Sequence, residues 1–412
     1  MGVLIDTTPL RVSRDFRRLW IGQAVSFFGT TMTMAALPFQ VYAQTRSSVA
    51  VGLLALAQLV PLLVCSVVGG AFADTVDKRL LLIGVTIVSA TCSFGLALNA
   101  SLDHPHLWVL YVVGAAASGA AAVTYPVLRS LLPLLLEPPL RPAAFSLQAV
   151  YGSFGMMAGP AVGGVLIGTV GLTTTYAVDV ATYAVALLAF AGIAPSPPIR
   201  DGSRASRASI LEGLRFLRGK PVIMSVFGID LLAMIFGMPR ALFPALTARL
   251  GGGGLLYGFL LSSVAAGAFV ASLTSGWTGR VRRQGRAVLI AVAVWGAAIA
   301  VTGLTLNTAV VLVSLAVAGG ADMISGVYRS AIAADVTPDE LRGRISGVEL
   351  AVYAGGPVVG DIEAGIVGGL VGVPFAIVSG GLACVAAAGV FAVRVKSFAR
   401  YVGPGRVRVA RD

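Results

Sequence analysis

A chain of 412 residues that is 57% hydrophobic and only 12% charged, with a mean hydropathy of +0.89, lacks the charge that a soluble surface of that size requires. Its formal net charge of +12 would point to nucleic acid in a soluble protein, so the position of the basic residues along the chain decides their meaning. Cys65, Cys92 and Cys384 all fall in apolar stretches without CxxC spacing, which offers neither a disulfide framework nor a zinc site.

Taken in chain order, a polar arm with Arg11, Arg14, Arg17 and Arg18 leads into an apolar run of full spanning length, so the first helix is expected to serve as its own targeting signal. Runs of about 20 residues suffice to cross a hydrocarbon layer. They are predicted at Leu19–Tyr42, Ala50–Ala73, Leu80–Ala100, Leu107–Leu132, Phe145–Val170 and Tyr176–Ile193. A polar stretch, Pro195–Lys220, follows, and its segment Ile210–Leu217 has the pattern of a short helix lying on a membrane surface. Six more runs are predicted at Val222–Leu246, Leu255–Trp277, Ala287–Leu306, Val310–Ala334, Ile345–Val371 and Pro374–Val393. Thr337-Pro338-Asp339-Glu340 reads as a capping box with proline at the first helical position, opening the eleventh helix. The expected organisation is therefore a six-helix bundle over 1–194, a cytoplasmic linker over 195–220, and a second six-helix bundle with a basic tail over 221–412.

With both termini in the cytoplasm, 25 of the 30 basic residues fall in inner segments, and only Arg46 and Arg249 in outer loops. Arg129, Arg240 and Arg329 lie within or near spans. The positive-inside rule then orients the chain in a membrane, with both termini cytoplasmic, anionic lipid as its electrostatic partner and nucleic acid excluded. A monomer is expected.

The chain also repeats itself. Gly52–Arg79 and Gly258–Gly285 align without a gap at an offset of 206, so that Gly70 falls on Gly276 and Asp74 on Arg280. Gly159-Pro160-Ala161-Val162-Gly163 recurs as Gly356-Pro357-Val358-Val359-Gly360 at an offset of 197. Two similar halves of this kind are how many transporters are built, with a site that rocking exposes to either side in turn. Gly152, Gly155, Gly159 and Gly163 line one face of the fifth span, and Gly356, Gly360, Ala364 and Gly368 one face of the eleventh. Small residues at these spacings let helices approach closely.

These residues resemble the major facilitator superfamily, whose loop after the second helix is roughly G-x-x-x-D-R-x-G-R-K. Gly70, Asp74, Lys78 and Arg79 match it, while Thr75 and Asp77 depart from it. The fifth-helix motif of the drug and metabolite antiporter branch, G-x-x-x-G-P-x-x-G-G, is complete as Gly155, Gly159, Pro160, Gly163 and Gly164. Phe243-Pro244-Ala245-Leu246, Leu273-Thr274-Ser275-Gly276 and the stretch from Thr337 through Arg342-Gly343-Arg344 to Gly360-Asp361 are similar to the enterobactin exporter group, bacterial pumps that expel catecholate siderophores. The resemblance implies an all-α membrane protein, twelve transmembrane helices in two pseudo-symmetric bundles, and proton-driven export across a bacterial inner membrane. The same group contains macrolide and other antibiotic efflux pumps.

A charge at the bilayer centre costs about 2.5–3.5 kcal/mol on insertion scales, so ionisable residues in spans imply pairing, protonation or a watery cavity. Those here are Asp179, Asp230, Arg240, Asp322, Arg329, Glu349, Asp361 and Glu363. At the 197 offset Asp361 occupies the place of Gly164, a carboxyl where the other half keeps bare backbone, which makes it the first proton-coupling candidate. Glu363 and Asp322 stand beside it; Glu363 is about 200° further round the helix. Arg240 either takes an anionic group from the cavity or partners Asp230. Asp322 and Arg329, seven apart, are expected to meet only through a neighbouring helix. Asp74 is expected to meet the N-terminus of the eleventh helix, where unpaired amides attract a carboxylate. Phe27 and Met234 are among the apolar residues expected to offer an adaptable cavity wall, with Arg240, Asp230 and Arg329 as its polar points. His104 and His106 read as loop residues. No nucleotide loop and no histidine in any span is present for enzymatic chemistry, so the expectation is no cofactor, energy from a proton gradient, and a small-molecule substrate. Nutrient import and a non-transporting membrane sensor are the weaker alternatives.

Overall fold

The computed structural model describes residues 6–196, 220–338 and 342–403, the side chains of 67–75, 342–351 and 354 excepted. The linker, the acidic half of the Thr337–Glu340 capping box, and Gly70, Asp74 and Glu349 as side chains lie outside the described residues. The fold is all-helical, with 12 long helices and no strands among the described residues. In chain order they are α1 (Arg14–Thr45), α2 (Ser48–Thr75), α3 (Lys78–Ala100), α4 (Leu107–Leu135), α5 (Arg141–Thr169), α6 (Gly171–Ala191), α7 (Pro221–Phe236), α8 (Gly254–Leu273), α9 (Gln284–Leu304), α10 (Thr308–Val336), α11 (Arg342–Leu370) and α12 (Val373–Arg394). Among the described residues ten stretches are long and apolar enough to cross a membrane, the sixth of them running from Pro221 to Arg249 across a break in α7. The first helix is more polar than these, because it carries Gln23, Ser26, Thr30, Thr31, Thr33 and Gln40.

Contacts divide the chain into two compact units, Met1–Arg204 with Phe243–Ser262, and Ala205–Leu242 with Ser263–Asp412. In the first, α1 packs on α5 and α6, α2 on α4, and α3 on α4 and α6. Leu19, Leu82, Leu131 and Phe190, each almost wholly buried, close one end of this bundle. In the second unit, α9 packs on α10 and α12, and α7 on α11 and α12.

The start of α3 shows how a departure from the family loop is used. Asp77, where a glycine is usual, caps α3 by accepting the amides of Arg79 (2.8 Å) and Leu80 (3.2 Å), and also accepts the amide of Ser196 at 3.0 Å. Arg79 donates to the carbonyls of Phe190 (3.3 Å) and Ala191 (2.5 Å), and Arg18 to that of Gly192. Two guanidinium groups thereby satisfy the last carbonyls of α6, where the helix dipole favours positive charge.

Candidate functional site

The glycine faces of α5 and α11 each receive a partner helix at backbone distance. In the first unit, a Cβ on Gly155 would lie 2.6 Å from the Phe27 ring, one on Gly159 would strike Thr31, and one on Gly163 would lie 3.2 Å from the Cα of Met32. The same face turns its next glycine to α8, where a Cβ on Gly164 would lie 2.6 Å from the carbonyl of Gly254 and 2.7 Å from the Cα of Gly258. In the second unit a Cβ on Gly356 would lie 3.1 Å from Met234, one on Gly360 2.5 Å from the Met234 carbonyl, and one on Gly368 2.5 Å from Leu242. The repeat seen in sequence is thus a repeat in packing: α5 on α1, and α11 on α7. Phe27 and Met234 sit at these seams; Phe27 is half-buried with its ring edge-on to Tyr151, and Met234 is 2% exposed. Gly152 meets nothing within 4 Å and stands outside the packed face.

A break in α7 organises the charges of the second unit. The helix ends at Phe236, Pro239 cannot continue it, and a 3-10 turn at Arg240–Leu242 precedes a further short helix, Phe243–Arg249. Broken backbone inside a membrane domain needs replacement partners, and two side chains supply them. Trp295 of α9, 3% exposed, donates its indole N–H to the carbonyl of Gly237 at 3.0 Å. Asp361 of α11 accepts the amide of Ala241 at 3.0 Å through Oδ1 and meets the Arg240 guanidinium at 3.4 Å through Oδ2. The Arg240 side chain is 39% exposed and that of Asp361 13%. Trp295 therefore satisfies the broken backbone; the signal in the sequence is the indole N–H itself, which needs an acceptor when buried.

Arg329 of α10 lies between two carboxylates, 2.5 Å from Asp230 of α7 and 3.7 Å from Asp322 on its own helix. Two expectations are corrected here. Arg240 pairs with Asp361 and not with Asp230, because the break in α7 turns Arg240 towards α11 while Asp230, on the intact part of α7, meets α10. Asp322 and Arg329 touch directly although they are seven apart, because an extended arginine spans two helical turns. Glu363 is half-buried, makes no hydrogen bond or ion pair among the described residues, and lies near Cys384. In the first unit Lys78 is 3% exposed and Asp179 wholly buried. His106 engages Asn99 through its backbone, and among the described residues no group of three His, Cys, Asp or Glu could hold a metal ion.

Comparison with known proteins agrees with this architecture. The chain is 26% identical over 370 residues to the enterobactin exporter of Shigella boydii serotype 18, covering 89% of this chain and 88% of that one. It is equally identical over 372 residues to that of Escherichia coli O139:H28, with the same coverage. Among solved structures, a bacterial homologue of the iron transporter ferroportin in an inward-facing state superimposes with a TM-score of 0.72 at 13% identity, covering 94% of this chain and 98% of that one. A bacterial homologue of the human lysosomal transporter Spinster gives 0.65 at 16%, covering 93% and 95%. These two establish the fold alone. The family model described as transmembrane secretion effector matches residues 6–400, nearly the whole chain. With its twelve helices, its paired glycine faces and this match, the chain is a multi-pass membrane transport protein that belongs to the transmembrane secretion effector family of the major facilitator superfamily.

Proposed function

We propose that this protein exports amphiphilic small molecules across a bacterial inner membrane by proton antiport and alternating access, with both termini cytoplasmic and a siderophore of the enterobactin type as the first substrate to test. The observation that carries the coupling is the Arg240–Asp361 ion pair at the break in α7. The ionised Asp361 carboxylate, reached beside the partly exposed Arg240, can accept the catechol hydroxyls of the cargo. A proton placed on that carboxylate removes the acceptor and releases the cargo, and loss of the proton restores it, so that proton and cargo occupy the site by turns as antiport requires. Asp322, 3.7 Å from Arg329, is a second proton-accepting carboxylate, and Glu363 a third. The family match and the exporter relatives support the outward direction.

The test is accumulation of enterobactin in everted membrane vesicles under an imposed pH gradient. Accumulation by the wild type and its loss in Asp361→Asn, at matched protein level, is the expected result; undiminished gradient-driven accumulation in Asp361→Asn removes Asp361 from the cycle. Macrolide efflux is the alternative reading, and macrolide resistance on expression without enterobactin transport would replace the siderophore.

A further inference from the structure

The first unit holds a carboxylate that the cycle above does not use. Asp179 of α6 is 0% exposed, and no lysine, arginine or histidine approaches it within ion-pair distance among the described residues. Its Oδ2 accepts two hydroxyls, Thr33 of α1 and Ser93 of α3, each at 2.7 Å. Its Oδ1 faces Gly29 of α1, where a Cβ would collide with it, and the hydroxyl of Thr182 at 3.2 Å. The other titratable neighbours are Tyr176 and Tyr183 on the same helix, with Cys92 of α3 beside Tyr183. The remaining helix on α6 is α5, whose one charge, Arg141, is its first residue.

A count of protons assigns the state of this group. A threonine hydroxyl has one proton and two lone pairs, and that of Thr182 is committed to the Asp179 carbonyl at 2.7 Å, shorter than its contact with Oδ1. An ionised Asp179 would therefore leave Oδ1 without a donor, as a bare negative oxygen in a membrane-embedded core. With a proton on Oδ1 every group is satisfied: Oδ1–H donates to Thr182, Thr182 to the carbonyl of 179, and Thr33 and Ser93 to Oδ2. An uncompensated buried charge is the costlier alternative. The three hydroxyls come from α1, α3 and α6, so any shift of α1 against its neighbours alters the partners that keep the proton in place.

We propose that Asp179 is a proton-binding site of the N-terminal bundle, loaded in this conformation, and that its proton is exchanged during transport. The antiport part rests on the proton-driven reading above; the loaded site does not. Infrared difference spectra of purified wild type and Asp179→Asn in lipid at neutral pH read the site without any substrate. A carboxylic-acid C=O band present in the wild type and lost in Asp179→Asn is expected, and its absence from the wild type overturns the site. Asparagine reproduces the neutral acid, its amide donating to Thr182 and its carbonyl accepting from Thr33 and Ser93, so Asp179→Asn should unfold at the wild-type temperature; a clear fall would mean that the ionised form is native. Thr182→Val keeps the carboxyl but removes its acceptor, so the band should move without vanishing, and an unmoved band also counts against the site. In everted vesicles, Asp179→Asn should lose gradient-driven enterobactin accumulation yet keep exchange of external for internal enterobactin without a gradient. Unchanged gradient-driven accumulation would leave Asp179 a structural acid and defeat its antiport role. Failure of the wild type to move enterobactin at all defeats the substrate reading, while the infrared band still decides the proton site.

Discussion

An arginine between two carboxylates in a membrane domain is a stability element whatever else it does. Arg329 has 11% of its side chain exposed, and its partner Asp230 13%. Removing the cation takes its counter-charge from both acids, and breaking a buried pair from one side typically costs about 3–5 kcal/mol. Arg329→Met is therefore expected to lower the unfolding temperature in detergent markedly, and Asp230→Asn in the same background to restore part of the loss. An Arg329→Met protein that melts with the wild type would show that the contact carries no net stability. Trp295 allows a finer test. Trp295→Phe keeps most of the ring but leaves the Gly237 carbonyl without its 3.0 Å donor, a loss of about 1–3 kcal/mol for a buried acceptor. Wild-type stability in that variant would mean that another group reaches the carbonyl. The acids and arginines were visible in sequence as costly residues in apolar spans, but their pairing was not. Which acid meets which arginine depends on how Pro239 and Gly237 redirect the chain after Phe236, and that turn is settled by tertiary partners on α9 and α11.

At the scale of helices, the glycine face of α5 was legible from Gly155 to Gly164, though not at Gly152, because close approach leaves few choices: where two helices meet at a Cβ distance, only glycine fits. Its partners were not legible, since a motif on α5 carries no record of α1 or α8. The seams make an internally controlled prediction. A leucine at Gly163 would press on the Met32 backbone and one at Gly360 on the Met234 carbonyl; overpacking of this kind typically costs about 1–3 kcal/mol. Both variants are expected to reach the membrane with transport lost. Gly152→Ala enters open space on the same helix, and it should be neutral or slightly stabilising, since alanine exceeds glycine by about 1 kcal/mol in helix propensity. Equal effects of Gly152→Ala and Gly163→Leu on efflux, at equal protein level, would show that the α5–α1 seam has no special role.

For the whole molecule, span lengths and the internal repeat made the twelve-helix architecture readable, because a bilayer imposes one length on every crossing and the two halves reuse one plan. Sidedness is a separate matter, decided by charge. The arginines that terminate α6 belong to the segments predicted to be cytoplasmic: Arg18 follows Arg11, Arg14 and Arg17, and Arg79 follows Lys78. Twenty-five of 30 basic residues share that side in the twelve-span reading, and Lys and Arg in short loops set the orientation of most multi-span proteins. Reporter fusions after Arg204, between α6 and α7, and after Asp103, between α3 and α4, are expected to report opposite sides, with Arg204 cytoplasmic. Six helices precede the first point and three the second, so an odd number of crossings, α4 to α6, separates them. Agreement between the two reporters would require that one of those three helices not cross, and the orientation drawn from the basic loops would fail with it.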